Sequence, residues 1–460
     1  MRILKIGLLP LYLKLYDDIM PEMRTKIEEF AKTMQIEFEK REVEVLRGPV
    51  CCVKNEFKNV IKSFENQKVD AIVTLHLAYS PSFESIEPLS ETQIPIIVLD
   101  TTPEYAFGED IGPEEIMYNH GIHGVQDMCN LLLRNNKGFF IEAGHWQNSD
   151  VMDRVVRKIK AAAMARSISN IRVGTIGGAF KGMGDFFVPP KLLKKTIGIE
   201  TIEASVEDIT RLLPLQRDVE VEKELRLDSK NFKIDKQIGR AHLESIRIGI
   251  AVKKWIEKEK LGAFTMNFSA IGKDSGFPTL PFLEASKAMT RGIGYAGEGD
   301  VITAGLLGTL LSIYSETSFV EMFCPDWKGR RIFLSHMGEV NASLISGKPG
   351  LIEKNLPFID IGNPVMAVGQ LKSGEATLIN LSPSRKSYTL ILSQIEMVEV
   401  NNDKMADTIC GWFVPSVPIG DFLAEFSRAG GTHHSVLVYG GAKDVIADFG
   451  KIMGWKVAII

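Results

Sequence analysis

The chain has 460 residues, too many for one hydrophobic core of ordinary size, so two or three domains are expected. Its 54 basic and 58 acidic residues leave a formal net charge of -4, so no excess of one sign favours nucleic acid or an anionic membrane as a partner. We therefore expect a small-molecule partner, no membrane span, and a cytoplasmic location that keeps the five cysteines reduced.

Strand and helix patterns alternate in the first third of the chain. Short apolar runs predict strands at Ile3–Leu9, Glu42–Leu46, Ala71–Leu75 and Ile94–Leu99, and helical spacing predicts helices at Asp17–Met34, Lys54–Glu65 and Ser149–Ser167. This alternation predicts an α/β domain over 1–168 with a parallel sheet covered on both faces. The segment His76–Pro81 follows a strand, where such sheets place ligand-binding loops.

The alternation of strand and helix patterns continues over residues 169–318, which predicts a second α/β domain there. It includes a strand at Ile171–Ile176, a helix at Ile238–Lys258 and a strand at Ala263–Phe268. The glycine-rich segment Gly177–Asp185 matches neither the dinucleotide-binding nor the P-loop spacing, so we interpret it as a flexible turn.

The last part of the chain, 319–460, is predicted to form a third, β-rich domain. Strand-like runs separated by turn residues lie at Pro364–Leu371, Glu375–Asn380 and Ser387–Leu392.

Two carboxylates stand between glycines in Gly297-Glu298-Gly299-Asp300, directly before an apolar helix that starts near Thr303. A carboxylate is favoured at a helix amino terminus, so Asp300 is interpreted as a cap. Capping does not explain Glu298, whose glycine neighbours allow the backbone to approach a ligand.

Histidines follow apolar or glycine-rich segments at two further places. His336 comes after the strand Ile332–Leu334 with Glu339 three residues on, and His433 and His434 follow Gly430-Gly431-Thr432. A single histidine of this kind is more often a buried, hydrogen-bonded residue than a ligand. Together, the imidazoles and carboxylates suit manganese, cobalt or magnesium better than a thiolate zinc site.

These segments carry a family resemblance. Tyr295-Ala-Gly-Glu-Gly-Asp300, His336-Met-Gly-Glu339 and Gly430-Gly-Thr-His-His434 resemble, in the same order, three signature segments of L-arabinose isomerases. Weaker likeness extends to Gly144-His-Trp-Gln147, to the segment Gly121–Asp127 and to Thr317-Ser-Phe-Val-Glu321. The resemblance implies two Rossmann-like domains followed by a β-barrel.

The resemblance also implies roles for individual residues. Glu298, His336 and His434 would bind a divalent ion, normally manganese, with Glu298 also catalytic. The substrate-binding residues would be Tyr295, Glu339, His433 and His123. His123 resembles a residue that reaches into a neighbouring subunit's site, which implies a homo-oligomer, a trimer or a hexamer.

The sequence departs from the family's pattern in two places. Ser269 aligns with a glutamate that, in the family, binds the metal and takes part in proton transfer. Glu298 could then serve as the base itself, with Glu339, Glu321 or Asp274 reaching the metal or the substrate. The segment Leu11-Tyr-Leu-Lys-Leu15 replaces a polar loop that contacts the substrate. Apolar side chains there predict a substrate other than L-arabinose.

Three functions remain open at this stage. The first is a metal-dependent aldose–ketose isomerase acting on a sugar or sugar derivative. The second is an epimerase or another enzyme on the same scaffold. The third is a catalytically silent sugar-binding protein, which the loss of a glutamate at Ser269 would favour.

Overall fold

The structure, a computed structural model, describes residues 2–234, 238–357, 359–385, 387–401, 404–405 and 407–460. Two compact units are present, one comprising residues 2–166 and the other residues 167–460. The division into three domains at 1–168, 169–318 and 319–460 stays a prediction.

The first unit is an α/β unit, as predicted. Its strands are β1 (Leu4–Leu11), β2 (Val43–Arg47), β3 (Ala71–His76), β4 (Ile96–Asp100) and β5 (Phe139–Ala143). Its helices are α1 (Lys14–Ile19), α2 (Met23–Glu39), α3 (Lys54–Asn66), α4 (Ser82–Glu91), α5 (Ile116–Asn119), α6 (Ile122–Arg134) and α7 (Val151–Ile168), of which α7 runs past the unit's boundary. The five strands form a parallel sheet in the order β2-β1-β3-β4-β5. Residues of β3 are buried throughout, as expected for a strand covered on both faces.

One helix prediction in this unit is wrong in detail. The residues expected to form a single helix, Asp17–Met34, are divided between α1 and α2. Pro21 lies between the two helices, and proline lacks the backbone N–H that a continuous helix would need there.

The second unit combines further α/β structure with a large sheet. Its strands are β6 (Arg172–Ile176), β7 (Glu200–Ala204), β8 (Lys233–Ile234), β9 (Ala263–Met266), β10 (Gly294–Gly297), β11 (Thr317–Asp326), β12 (Arg331–Ser335), β13 (Gly350–Glu353), β14 (Val365–Gln370), β15 (Gly374–Pro383), β16 (Tyr388–Val398), β17 (Ile409–Pro415), β18 (His434–Tyr439) and β19 (Lys456–Ile459). Its helices are α8 (Pro190–Thr196), α9 (Val206–Thr210), α10 (Val219–Asn231), α11 (Gly239–Glu259), α12 (Phe282–Thr290), α13 (Val301–Leu311), α14 (Ile419–Arg428) and α15 (Lys443–Ile452).

Two sheets organise the described part of this unit. A four-stranded parallel sheet has the order β10-β9-β6-β7. A ten-stranded mixed sheet has the order β19-β16-β15-β18-β11-β12-β17-β14-β13-β8, and β16 pairs with β17 as well as with β15. Six strands, β16, β15, β18, β11, β12 and β17, thereby form a cycle of antiparallel pairs. The β-barrel expected for this region stays a prediction.

Helix α13 connects these sheets and positions the residues before it. Apart from its first residue, all of its side chains are buried, because the helix is apolar on every face. A Cβ on Gly294 would lie 2.3 Å from the backbone N of Gly308, so glycine permits β10 to pack closely against α13. No helix in the described ranges is both long and apolar enough to cross a bilayer.

Candidate metal centre and active site

Four elements of the second unit bring carboxylates and imidazoles together. Glu298 follows β10, Glu321 lies in β11, His336 follows β12 and His434 begins β18. Glu321 and His434 face each other directly in the antiparallel pair of β11 and β18. Residues in such positions have their Cβ atoms about 4.5–5.5 Å apart, so the register places these two side chains side by side.

The backbone around Glu298 is shaped for close approach. Glu298 itself has a φ of 58°, a left-handed conformation that costs free energy for a residue with a side chain. Its carbonyl oxygen accepts a hydrogen bond from the backbone N of Phe180 at 2.8 Å. A Cβ on the preceding Gly297 would lie 3.2 Å from Nε2 of His336 and 3.8 Å from Nε2 of His434. Glycine therefore lets both imidazoles lie against the backbone.

His434 is the centre of the cluster and its side chain is 0% exposed. Its Nε2 lies 2.7 Å from Glu298 Oε2 and 2.9 Å from Glu321 Oε1. Its Nδ1 lies 2.9 Å from Asp300 Oδ2, while Asp300 Oδ1 caps α13 by accepting from the backbone N of Thr303. The predicted cap is confirmed, and the same carboxylate also orients the histidine.

His336 has the same type of arrangement. Its Nδ1 lies 2.5 Å from Glu339 Oε2, and Tyr295 donates a hydrogen bond to Glu339 Oε1 at 2.7 Å. Its Nε2 is buried without a hydrogen-bond partner among the described residues and lies 3.7 Å from Glu321 Oε1. Glu339 and Tyr295 thus support His336, and their predicted contact with a substrate stays a prediction.

His433 lies beside the cluster and is more accessible, with 39% of its side chain exposed. Its Nδ1 lies 2.7 Å from Asp185 Oδ2, and its Nε2 lies 3.8 Å from Glu298 and 3.9 Å from Glu321. The potential ligand atoms of Glu298, Glu321, His433 and His434 all lie within 4.8 Å of one another.

The electrostatics of the cluster favour a positive charge. Burial by itself lowers the pKa of His434, but its bonds to Asp300, Glu298 and Glu321 outweigh burial and raise the pKa well above the usual value. The pKa of His336 is also raised, because Glu339 outweighs the effect of burial. Burial raises the pKa of Glu298, but the neighbouring His433 and His434 outweigh it and hold that pKa below its usual range.

These groups fit a divalent metal ion. A histidine that binds a metal ordinarily gives its other ring N–H to a carboxylate, and both His434 and His336 have that partner. Each presents its remaining nitrogen to the side where the carboxylates of Glu298 and Glu321 lie. Nitrogen and carboxylate ligands without a thiolate suit manganese, cobalt or magnesium.

The structure locates the other predicted residues elsewhere. Ser269 lies in the 3-10 turn Phe268–Ala270, and its hydroxyl donates to Asn267 at 2.7 Å. Asp274 is exposed in another 3-10 turn. His123 is exposed in the first turn of α6 in the first unit. The replacement of a glutamate at Ser269 stays a prediction, but Glu321 supplies a second carboxylate to the cluster.

Two residues, Glu321 and Asp185, contribute more to the cluster than the sequence predicted. Glu321 was only one of three alternatives, although it appears in the segment Thr317–Glu321 that carries part of the resemblance. Asp185 was assigned to a flexible turn, and its contact with His433 joins residues 248 positions apart. The only local feature of the sequence that could have indicated a role for Asp185 is its place as an acidic residue at the end of a glycine-rich segment.

Two family descriptions match the chain. The L-arabinose isomerase central domain matches residues 194–316, and the L-arabinose isomerase C-terminal domain matches residues 316–456. Together they cover the residues that form the cluster except for Asp185.

Full-length relatives extend the similarity to most of the chain. The L-arabinose isomerase of Shouchella clausii is 25% identical over 418 residues, covering 85% of this chain and 81% of that protein. The L-arabinose isomerase of Herpetosiphon aurantiacus is 24% identical over 432 residues, covering 90% of this chain and 85% of that protein. The L-arabinose isomerase of Levilactobacillus brevis is 26% identical over 418 residues, covering 86% of this chain and 85% of that protein.

Proposed function

The chain belongs to the L-arabinose isomerase family, and from this premise we propose that it is a divalent-metal-dependent isomerase that interconverts an aldose and a ketose. Manganese is the proposed ion, with cobalt or magnesium as substitutes. The observation that carries the proposal is the convergence of Glu298, Glu321, His336 and His434 in a buried cluster whose charges favour a cation.

We assign the ligand positions to Glu298, Glu321, His336 and His434. His336 is preferred to His433 because its Nε2 is buried and has no other hydrogen-bond partner among the described residues. A buried imidazole nitrogen without a hydrogen-bond partner lowers the stability of the folded protein by about 1–3 kcal/mol. Coordination to an ion would remove that penalty. In this assignment Glu321 is the second carboxylate, so a serine at position 269 does not leave the ion one ligand short.

Aldose–ketose conversion moves a proton from carbon 2 to carbon 1 and another from the oxygen on carbon 2 to the oxygen on carbon 1. The bound ion would polarise those two oxygens. Glu298 is the proposed base at carbon 2, because the family resemblance gives it a catalytic role and its carboxylate lies among the proposed ligands, 2.7 Å from His434 Nε2. The same carboxyl of Glu298 then returns the proton to carbon 1, and Glu321, whose Oε1 lies 2.9 Å from His434 Nε2, is the second carboxylate that would hold the ion.

The substrate is proposed to be a sugar other than L-arabinose. Support comes from Leu11–Leu15, where Leu11 and Tyr12 are buried and Leu15 is an exposed apolar side chain. Its two polar groups already have partners, since the Tyr12 hydroxyl donates to Met23 Sδ and Lys14 pairs with Asp18, and its other side chains are leucines where the replaced loop is polar. The predicted homo-oligomer, in which the exposed His123 would reach a neighbouring copy, belongs to the same proposal.

A sugar panel tests this function. Protein loaded with manganese is incubated in D₂O with aldopentoses, aldohexoses, deoxysugars and their ketoses, and products are followed by NMR. We expect conversion of at least one aldose to its ketose, with solvent deuterium entering at carbon 1 or carbon 2, and loss of conversion in Glu298→Gln. Glu396→Gln is the matched control, because Glu396 is an exposed glutamate on β16.

The other outcomes separate the alternatives. Formation of an epimeric aldose without a ketose would replace the isomerase with an epimerase. Binding of a sugar without conversion or deuterium uptake, for all members of the panel, would favour a silent binding protein.

A further inference from the structure

Asp185 ends the glycine-rich segment that follows β6. Its Oδ2 accepts a hydrogen bond from the backbone N of His433 at 3.1 Å and lies 2.7 Å from Nδ1 of the same residue. One carboxylate oxygen therefore fixes both the backbone and the ring of His433. The segment does not behave as the free turn that its glycines predict.

Neighbouring contacts hold Asp185 in place. Gly178 and Gly299 pack so closely that a Cβ on Gly299 would lie 2.3 Å from the Gly178 carbonyl oxygen. Phe186, the next residue after Asp185, stacks on the His434 ring with centroids 5.1 Å apart and an interplanar angle of 15°. The segment is thus held at two places, by the packing of Gly178 on Gly299, next to Glu298, and by the stacking of Phe186 on His434.

This arrangement defines what His433 can do. Of the two neutral forms of His433, a carboxylate at Nδ1 favours the one that carries its proton on Nδ1, which leaves Nε2 as an acceptor. That Nε2 lies 3.8 Å from Glu298 Oε2 and 3.9 Å from Glu321 Oε1. The His433 side chain is 39% exposed, whereas that of His434 is 0% exposed, so a molecule arriving from solvent can reach His433.

We propose that Asp185 is a positioning residue, which holds His433 with its proton on Nδ1 so that Nε2 accepts a hydrogen bond from a substrate hydroxyl beside the metal. The inference rests on the proposed function for its substrate, a sugar. Asp185 does not touch the sugar and acts only through His433. A purely structural Asp185 would anchor the segment without deciding which ring nitrogen carries the proton.

The first arm of the test reads the tautomer directly. ¹⁵N-histidine-labelled protein loaded with Mg²⁺ is examined by NMR at a pH well above the usual imidazole pKa of about 6.5. We expect the wild-type His433 to carry its proton on Nδ1. Asp185→Ala removes the oxygen that accepts from Nδ1, so the proton should move to Nε2, on the side of the Glu298 and Glu321 carboxylates. Asp185→Asn can keep an amide oxygen at the same place, accepting from both the backbone N and Nδ1, and should keep the wild-type tautomer. His242 is the internal reference, because its Nε2 lies 3.0 Å from Asp228 and should be unaffected.

The second arm measures turnover of whichever sugar the panel identifies. We expect kcat/KM of Asp185→Ala to fall about 10- to 100-fold while metal content stays at the wild-type level. Asp185→Asn should retain more of the activity than Asp185→Ala, because its amide oxygen can still accept from Nδ1. An unchanged tautomer in Asp185→Ala, or a changed tautomer with unchanged kcat/KM, would overturn the proposal. If no sugar is converted, the isomerase assignment fails by itself and the tautomer still decides whether Asp185 positions His433.

Discussion

Glu321 and His434 lie directly opposite each other on β11 and β18, and Glu321 Oε1 is 2.9 Å from His434 Nε2. The antiparallel register thus produces half of the candidate metal site by pairing two strands that are far apart along the chain. The turn after β10 adds Glu298, and the end of β12 adds His336. In the proposed function, binding of a cation at this position would depend on the groups that orient these four residues.

Asp300 has two separable functions, which substitutions can distinguish. Asp300→Asn should keep the cap of α13, since asparagine caps as well as aspartate, but should weaken manganese binding about 10- to 100-fold because His434 loses a charged partner. Asp300→Ala should also lose about 0.5–2 kcal/mol of stability. Isothermal titration with Mn²⁺ and urea unfolding measure the two effects. The control is Ser205→Ala, which removes the cap of α9 and should change stability without changing manganese affinity. Equal manganese affinity in Asp300→Asn and wild type would contradict the role assigned to Asp300.

Gly297 is predicted to matter for the metal rather than for the fold. Gly297→Ala would put a Cβ 3.2 Å from His336 Nε2, a tight contact that the ring can relieve only by shifting a few tenths of an ångström. Manganese affinity should fall, and the unfolding transition should change little. The matched control is Gly239→Ala, where a Cβ would meet nothing within 4 Å. If both variants bind manganese equally well, the imidazoles do not need this close approach.

The sequence predicted the residues whose signals are local. Glu298 stands out between two glycines, His336 follows a predicted strand, and His434 follows the glycine pair Gly430-Gly431. The parallel sheet of the first unit also follows from short-range patterns, because buried strands and amphipathic helices each have their own period.

The roles of Glu321 and Asp185 depend on contacts between distant segments. Glu321 looks like an ordinary residue of an exposed strand end until β11 is paired with β18. Asp185 acquires its meaning only from His433, and no periodicity predicts that contact. The assignment of Ser269 to the position of a family glutamate rests on the alignment of a short motif and stays a prediction.

The metal-free protein should lose stability as pH rises. The folded-state pKa values of His434 and His336 are raised above the unfolded value of about 6.5. Their stabilising contribution is therefore fully present below that pH and disappears as pH rises through the folded values. We expect the Tm of chelator-treated protein to be higher at a pH of about 6 than at about 9. Added Mn²⁺ should stabilise the protein more at the higher pH, because it competes with fewer protons.

A double variant checks the origin of this effect. His336→Gln with His434→Gln should flatten the pH dependence of the metal-free protein. A Tm that rises with pH in the metal-free wild type would show that the two imidazoles are not protonated as described.

His76 should make the first unit sensitive to acid. Burial lowers its pKa to about 3, although Asp127 acts in the opposite direction, and neither ring nitrogen has a hydrogen-bond partner among the described residues. Because the unfolded chain takes up a proton near pH 6.5 and the folded one does not, stability should fall by about 1.4 kcal/mol per pH unit below about 6.5. His76→Leu should remove this slope, measured by hydrogen exchange of the β3 amides. His123→Leu, an exposed histidine in the same unit, should retain it, and identical slopes in wild type and His76→Leu would contradict the prediction.

The central claim is that Glu298, Glu321, His336 and His434 hold one divalent ion. Elemental analysis tests it most directly, after separate incubations with Mn²⁺, Co²⁺ and Mg²⁺ followed by gel filtration. The samples are wild type, Glu321→Gln, the His336→Ala/His434→Ala double variant and the control Glu396→Gln. We predict about one manganese per chain in wild type and control, and loss of the ion from the double variant and from Glu321→Gln, which loses a charged ligand. Wild-type protein that remains free of manganese, cobalt and magnesium, or a double variant that retains the ion, would contradict the account.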